Sequence, residues 1–193
     1  MVAVDQRRAH RLIERLGNGR GAQPGNADGI GGVIFDQAAR QVRAVGRDDI
    51  DDVAAREAMA LASYMAGIAF SNAGLGLCHA MAHQPGATLH IPHGQANAML
   101  LPTVMGFNRM VCRERFSHIG RALTNKKSDD RDAINAVSEL ISEVGQTKRL
   151  SDVGAKPEHY SAWAHAALED ICIRSNPRTA TQEQIIDLYA AAG

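Results

Sequence analysis

The sequence of 193 residues contains few aromatic side chains, and the alternating runs typical of β-strands are nearly absent. Aromatic residues make up only 4% of the chain, whereas alanine is frequent throughout. Alanine has the highest helix propensity, and aromatic and β-branched residues favour strands. The composition therefore predicts closely packed helices and disfavours a protein built on a sheet.

The chain also has few cysteines and no formal net charge. The three cysteines, Cys78, Cys112 and Cys172, lie far apart in the sequence, which excludes a disulfide framework or a CxxC zinc motif built from them. The 21 basic and 21 acidic side chains cancel to a formal net charge of zero. Nucleic-acid and membrane-surface binders normally carry a basic excess, so the balance disfavours both classes. We expect a protein of the reducing cytoplasm.

Long hydrophobic runs are missing as well. The first 17 residues have no apolar core of the kind found in signal peptides. The stretch from Ala58 to Cys78 comes nearest to a membrane span, but Ser, Asn and Gly residues dilute it. We therefore expect a buried core helix in this stretch and no association with a membrane.

The chain divides by composition into two parts. Residues 1–32 are locally basic and end in GNGRGAQPGNADGIGG, which contains seven glycines and one proline. Such a stretch is typical of a flexible linker or of disorder. Residues 33–193 are predicted to form an all-α helical bundle.

Helix boundaries follow from hydrophobic periodicity, proline and capping residues. Residues 53–71 are apolar on more than one face, which predicts a central helix. A shorter helix over 75–84 should end near Pro85, and Pro92 should open the next helix. Further helices are predicted over 109–123 and 129–144, from Pro157, and from Thr181, whose spacing to Gln184 makes a capping box.

Four of the eight histidines fall in one window of 15 residues: His79, His83, His90 and His93. His79 and His83 are four positions apart and would share one face of a helix. His93 follows a turn marked by prolines and can fold back toward that helix. Neutral imidazole is a common ligand of transition metals. The cluster predicts a divalent metal site with two or three imidazoles, although some of the four could be ordinary solvated histidines.

A longer pattern surrounds these histidines. Residues 74–98, GLGLCHAMAHQPGATLHIPHGQANA, closely resemble the second signature of the iron-containing (group III) alcohol dehydrogenases. The match continues before this segment in AREAMALASYMAGIAFSNAG and after it in NAMLLPTVMGFN, and residues 149–192 resemble the family's C-terminal end. The resemblance covers residues 53–193 well and 33–52 loosely, and it is strongest to the lactaldehyde reductase (propanediol oxidoreductase) branch.

The resemblance implies an architecture and a set of roles. Such enzymes have an N-terminal α/β domain that binds NAD(P) and a C-terminal helical domain that holds one divalent metal, which we expect to be Fe²⁺, with Zn²⁺ as the alternative. By matching positions, His79 and His93 would be metal ligands. His83 would lie near the nicotinamide as a cofactor-binding and catalytic residue that relays protons. Phe70 and Cys172 would line the substrate pocket.

The chain also departs from the family pattern. No segment corresponds to the α/β nucleotide-binding domain, and VDQRRAHRLIE only faintly resembles the helix that supplies the first two metal ligands, because its Asp and His are five positions apart instead of four. We therefore expect the C-terminal part of an oxidoreductase for small alcohols, diols or aldehydes, inactive alone. Its partner would be another copy of the chain or a separately encoded N-terminal domain.

Two other classes of function remain open. The chain could be a non-catalytic helical module that binds a metal or a partner. Alternatively, the basic residues of 1–32 could dock nucleic acid, which the zero net charge of the whole chain disfavours.

Overall fold

The computed structural model describes residues 53–193, except for the side chains at positions 54, 55, 58 and 59. The predictions for residues 1–32 and 33–52, including the VDQRRAHRLIE segment, lie outside this part of the chain. The described residues form helices and no strand, which confirms the predicted all-α fold. The helices are α1 (Val53–Ala73), α2 (Leu77–Leu89), α3 (His93–Arg109), α4 (Arg113–Thr124), α5 (Asp132–Glu143), α6 (Pro157–Glu169) and α7 (Gln182–Ala191), with short 3₁₀ turns at Ser151–Val153 and Ile171–Ser175.

Helix α2 lies at the centre of the larger core. It packs against α3, α6 and the 3₁₀ turn Ile171–Ser175, and α7 packs on α6. Small side chains let these helices approach closely, since Ala80, Ala96, Ala164 and Ala167 are completely buried. Three of the chain's few aromatic residues gather in the same core, where Tyr160, Trp163 and Tyr189 have ring centroids 5.4 to 6.1 Å apart.

A second, smaller core lies between α3, α4 and α5. Alanines on α5 pack against larger side chains of the other two helices; its buried residues are Met105, Phe116, Leu123, Ala133, Ala136 and Val137. Helix α5 is shorter than its predicted span of 129–144, because Val144 follows the end of the helix and is exposed.

Helix α1 differs from its prediction. It was expected to be a buried central helix, yet Leu61, Tyr64 and Phe70 are exposed, with Tyr64 65% accessible. Ala62 is buried. An apolar composition favours burial, but a helix is buried only where another surface covers it. Among the described residues, the other helices pack around α2 and not around α1. The prediction of a buried core helix is wrong for most of the α1 side chains that the structure describes.

Within residues 53–193, no single helix is long and apolar enough to cross a bilayer. Residues 60–73 and helix α2 reach the required length and hydropathy only as a pair, and a bend of 111° separates the two.

Helix α2 also runs further than predicted, because it continues past Pro85 to Leu89. Proline has no backbone N–H, so it cannot donate to the carbonyl of Met81 four residues earlier. The hydroxyl of Tyr189, on α7, donates to that Met81 oxygen instead, at 2.7 Å. Tyr189 is completely buried. A side chain 108 positions away thus replaces the missing hydrogen bond, and the predicted helix end at Pro85 is wrong.

The starts of the last two long helices agree with their sequence signals. Pro157 is the first residue of α6. Thr181 and Gln184 form the predicted capping box, in which each side chain accepts a hydrogen bond from the backbone N–H of the other. Ile171 lies beyond the end of α6 and is 71% exposed.

The Tyr189 hydrogen bond can be tested by removing its donor. Tyr189→Phe should lower the free energy of unfolding by about 1–3 kcal/mol, because the buried Met81 carbonyl loses its partner. In a Pro85→Ala background the same change should cost less, since the introduced alanine has a backbone N–H that can pair with Met81. Urea denaturation measures both, with Tyr64→Phe on exposed α1 as the matched control. An equal loss in the two backgrounds would contradict this account.

Candidate metal centre

Two of the clustered histidines lie on α2. His79 and His83 are one helical turn apart, and both are partly exposed on the same side of the helix, with ring centroids 6.3 Å apart. The neighbouring Ala80, Met81 and Ala82 are buried in the core. The fixed orientation of α2 therefore presents both imidazoles together at the surface of the helical domain.

The third histidine arrives through the turn between α2 and α3. His90 ends α2 in the left-handed conformation, with φ 55° and ψ 35°. Pro92 caps α3, and its carbonyl accepts a hydrogen bond from the N–H of Ala96. His93 is the first residue of α3 and lies 5.2 Å from His79 and 5.5 Å from His83, measured between ring centroids.

The predicted histidine cluster thus forms with three of its four members. His79, His83 and His93 come together, and we call them the histidine trio. His90 is exposed and contributes the backbone conformation that reverses the chain. A non-glycine residue rarely adopts a positive φ, and histidine is one of the residues that do so more readily.

The electrostatic environment keeps His79 neutral. Burial lowers the pKa of His79, and the nearby His93 and His83 lower it further, while Asp170 acts weakly in the opposite direction. Metal binding requires the unprotonated imidazole with its lone pair available. The environment of His79 therefore fits a metal ligand.

A carboxylate that the sequence analysis did not single out contacts the trio. The Oδ2 atom of Asp170 lies 2.7 Å from Nδ1 of His83. Asp170 follows the end of α6 and caps the turn Ile171–Ser175, where its Oδ1 accepts a hydrogen bond from the N–H of Cys172 at 2.8 Å. Aspartate is a common capping residue, so its position before Cys172 was the available signal.

Asp170 remains ionised despite its low exposure. Burial by itself raises the pKa of Asp170, but the hydrogen bonds from His83 and from Cys172 outweigh burial and bring the pKa below its usual value. The site therefore holds a carboxylate beside the histidine trio.

Cys172, predicted to line the substrate pocket, lies in the same place. One ligand atom each of His83, Asp170 and Cys172 falls within 4.8 Å of the others. Burial raises the pKa of the Cys172 thiol, and the neighbouring Asp170 raises it further. Cys172 is therefore a protonated thiol at neutral pH, beside the imidazole of His83.

Phe70, the other predicted pocket residue, lies in the last turn of α1 and is about half exposed. Its carbonyl accepts a hydrogen bond from Gly74, and the following Gly76 donates to the carbonyl of Cys172 at 2.9 Å. Gly74 has a positive φ, and a side chain there would collide with Ser175. Phe70 and Cys172 therefore flank one tight turn at the start of α2.

Two asparagines that the sequence analysis missed hold the elements of the site in place. Nδ2 of Asn97 lies 3.2 Å from Nε2 of His93, one turn earlier on α3. The side-chain oxygen of Asn176 accepts hydrogen bonds from the N–H of Leu77, at the start of α2, and from Asn108, near the end of α3. The first N–H groups of a helix lack partners within it, so Asn176 supplies one for α2.

With this geometry in place, the comparison with known proteins identifies the class. Residues 39–193 match the Fe-containing alcohol dehydrogenase family, C-terminal domain. The chain belongs to this family, as the resemblance of residues 74–98 predicted.

Individual relatives agree with the family. The chain is 88% identical over 142 residues to the probable alcohol dehydrogenase EutG of Salmonella typhimurium, covering 74% of this chain and 36% of the relative. It is 45% identical over 147 residues to the lactaldehyde reductase of Escherichia coli, covering 73% and 38%. The chain thus spans little more than a third of the length of these curated relatives.

Solved structures support the fold. A 1,3-propanediol oxidoreductase superimposes with a TM-score of 0.78 at 34% identity, over 90% of this chain and 47% of the other. The alcohol dehydrogenase from Oenococcus oeni superimposes with a TM-score of 0.80 at 35% identity, over 86% and 46%. In both, the chain matches about half of the protein.

The burial of the cysteines can be tested by alkylation. Burial raises the pKa of the Cys78 thiol to about 12. The thiolate is the reactive form, so iodoacetamide at mildly alkaline pH should label Cys78 far more slowly than Cys112 or Cys172, both of which are less buried. Peptide mass spectrometry measures the three rates, and in urea they should converge. Similar rates in the folded protein would contradict this environment for Cys78.

Proposed function

We propose that residues 53–193 are the metal- and substrate-binding part of an NAD(P)-linked alcohol dehydrogenase that acts on small alcohols, diols or aldehydes. The observation that carries the proposal is the histidine trio, whose ring centroids lie 5.2 to 6.3 Å apart in a member of the Fe-containing alcohol dehydrogenase family. The names of the relatives, among them lactaldehyde reductase and 1,3-propanediol dehydrogenase, support the substrate class.

In this proposal His79 and His93 hold the divalent metal. Their ring centroids are the nearest pair of the trio, at 5.2 Å, and both occupy positions that are metal ligands in the family signature that residues 74–98 resemble. Imidazole suits both iron and zinc, and the family favours Fe²⁺. A bound divalent ion would polarise the oxygen of the alcohol or aldehyde.

The remaining residues act on the substrate. His83, beside both metal ligands, would accept the hydroxyl proton during alcohol oxidation and return it during aldehyde reduction, next to the nicotinamide. Phe70 and Cys172 flank the turn that begins α2 and would limit the pocket to small substrates. The thiol of Cys172 stays protonated and would act as a neutral wall of that pocket.

Hydride transfer also requires a site for the dinucleotide. Dinucleotides bind at the edge of parallel sheets, and residues 53–193 contain no strand. One relative is an NAD-dependent methanol dehydrogenase from Bacillus methanolicus, 39% identical over 148 residues. We therefore propose that a nucleotide-binding part, on another segment or another chain, completes the enzyme, and that residues 53–193 alone do not turn over alcohols.

A second candidate is a non-catalytic helical module that binds a metal or a partner protein. The observation that favours it is the row of exposed apolar side chains on α1, including Leu61, Tyr64 and Phe70. The two candidates differ in whether the histidine trio supports turnover when a nucleotide-binding part is present.

Metal binding by the chain tests the ligand assignment. Co²⁺ added to the protein should give a visible absorption band, and its affinity should fall about tenfold or more in His79→Ala and in His93→Ala. His83→Ala should have a smaller effect, because the proposal assigns His83 to the substrate proton and not to the metal. His165→Ala is the matched control, since His165 is exposed on α6.

Cys172→Ser distinguishes the alternative donor set, because His83, Asp170 and Cys172 also present three ligand atoms close together. If Cys172→Ser removed the band and His93→Ala did not, the metal would belong to that set and the assignment would be wrong.

Turnover tests the enzymatic role. The chain alone, with Fe²⁺ or Zn²⁺, NAD(P)H and a small aldehyde, should show no cofactor oxidation. A chimera in which residues 53–193 replace the matching part of the Salmonella EutG protein should reduce the aldehyde if that relative does, and His79→Ala should abolish this activity. An inactive but folded chimera would favour the non-catalytic module, and turnover by the chain alone would contradict the need for a nucleotide-binding part.

A further inference from the structure

Asp170 is held against His83 by several contacts. Its Oδ2 lies 2.7 Å from His83 Nδ1, and its Oδ1 accepts the N–H of Cys172 at 2.8 Å. The Asp170 side chain is only 15% exposed. With both of its oxygens engaged, the carboxylate has little freedom to rotate away.

The backbone that carries Asp170 is fixed to the helix that carries His83. The carbonyl of Cys172 accepts a hydrogen bond from Gly76, and Asn176 accepts one from Leu77, both at the start of α2. These two hydrogen bonds tie the segment around the turn Ile171–Ser175 to the start of α2. They therefore help to hold Asp170 at its distance from His83.

The chemistry of the pair determines where the proton of His83 lies. An ionised carboxylate can only accept hydrogen bonds, and a neutral imidazole carries one N–H and one lone pair. At 2.7 Å from the carboxylate, Nδ1 must be the protonated nitrogen. The lone pair is then on Nε2, the nitrogen away from Asp170.

We propose that Asp170 is a positioning residue, which fixes His83 in its Nδ1–H tautomer so that Nε2 is the proton acceptor of the reaction. This inference rests on the proposed function, in which His83 exchanges the substrate proton. In alcohol oxidation the hydroxyl proton passes to Nε2, and the carbon-bound hydrogen leaves as hydride to NAD(P)⁺, which gives aldehyde and NAD(P)H. The imidazolium so formed is stabilised by the ionised Asp170.

Nitrogen NMR of the chain, labelled with ¹⁵N, tests the tautomer directly at a pH where the histidines are neutral. In the natural chain the His83 Nδ1 signal should be that of an N–H nitrogen and the Nε2 signal that of a bare nitrogen. His83→Gln assigns these signals by their loss.

Asp170→Asn is the decisive variant, because it preserves the turn while changing the partner of His83. In this variant the amide oxygen can still accept a hydrogen bond from the backbone N–H of Cys172. The amide NH₂ group then faces Nδ1 of His83. The two His83 signals should then exchange positions, and Asp170→Glu should restore the original pattern. Glu169→Gln is the matched control, because Glu169 is exposed and contacts His165 on the same helix.

Unchanged His83 signals in a folded Asp170→Asn protein, or an Nε2–H form in the natural chain, would overturn the inference. Co²⁺ binding measured on the same samples separates this failure from that of the proposed function. Loss of Co²⁺ binding in His79→Ala with no tautomer change in Asp170→Asn would reject the role of Asp170 alone. The expected tautomer with Co²⁺ binding that is independent of His79 and His93 would reject the metal assignment alone.

Discussion

The arrangement of the site depends on the continuation of α2 through Pro85. A proline inside a helix leaves a carbonyl without its donor, and the buried hydroxyl of Tyr189 supplies that donor to Met81. Because α2 persists to Leu89, the left-handed turn at His90 falls where it returns the chain toward the histidines of α2. One hydrogen bond between α7 and α2 thus supports the position of His93.

A second constraint acts through the segment after α6. Asp170 caps the turn Ile171–Ser175 and contacts His83, while Asn176 and the carbonyl of Cys172 bind the first N–H groups around the start of α2. Gly74 allows this close approach, because a side chain at position 74 would collide with Ser175. The same short segment therefore caps the start of α2 and brings a carboxylate and a thiol to the histidine trio.

Much of the fold was predictable because its signals are local. Alanine content, the proline at the start of α6 and the Thr181–Gln184 capping box act within one or two helical turns, and the structure agrees with them. The errors have a common physical origin. The length of α2 depends on Tyr189, and the burial of α1 depends on which surface covers it, and neither is a property of the local sequence.

The sequence by itself determined the helical class through its composition, the clustering of histidines around residues 79–93 through their short spacings, and the family through the resemblance of residues 74–98. Only the tertiary structure decided that three of the four histidines meet, that the fourth forms the turn, and that Asp170 joins them. His83 and Asp170 are 87 positions apart, and no periodicity links residues at that separation. Their contact exists because α6 packs on α2 and ends beside it.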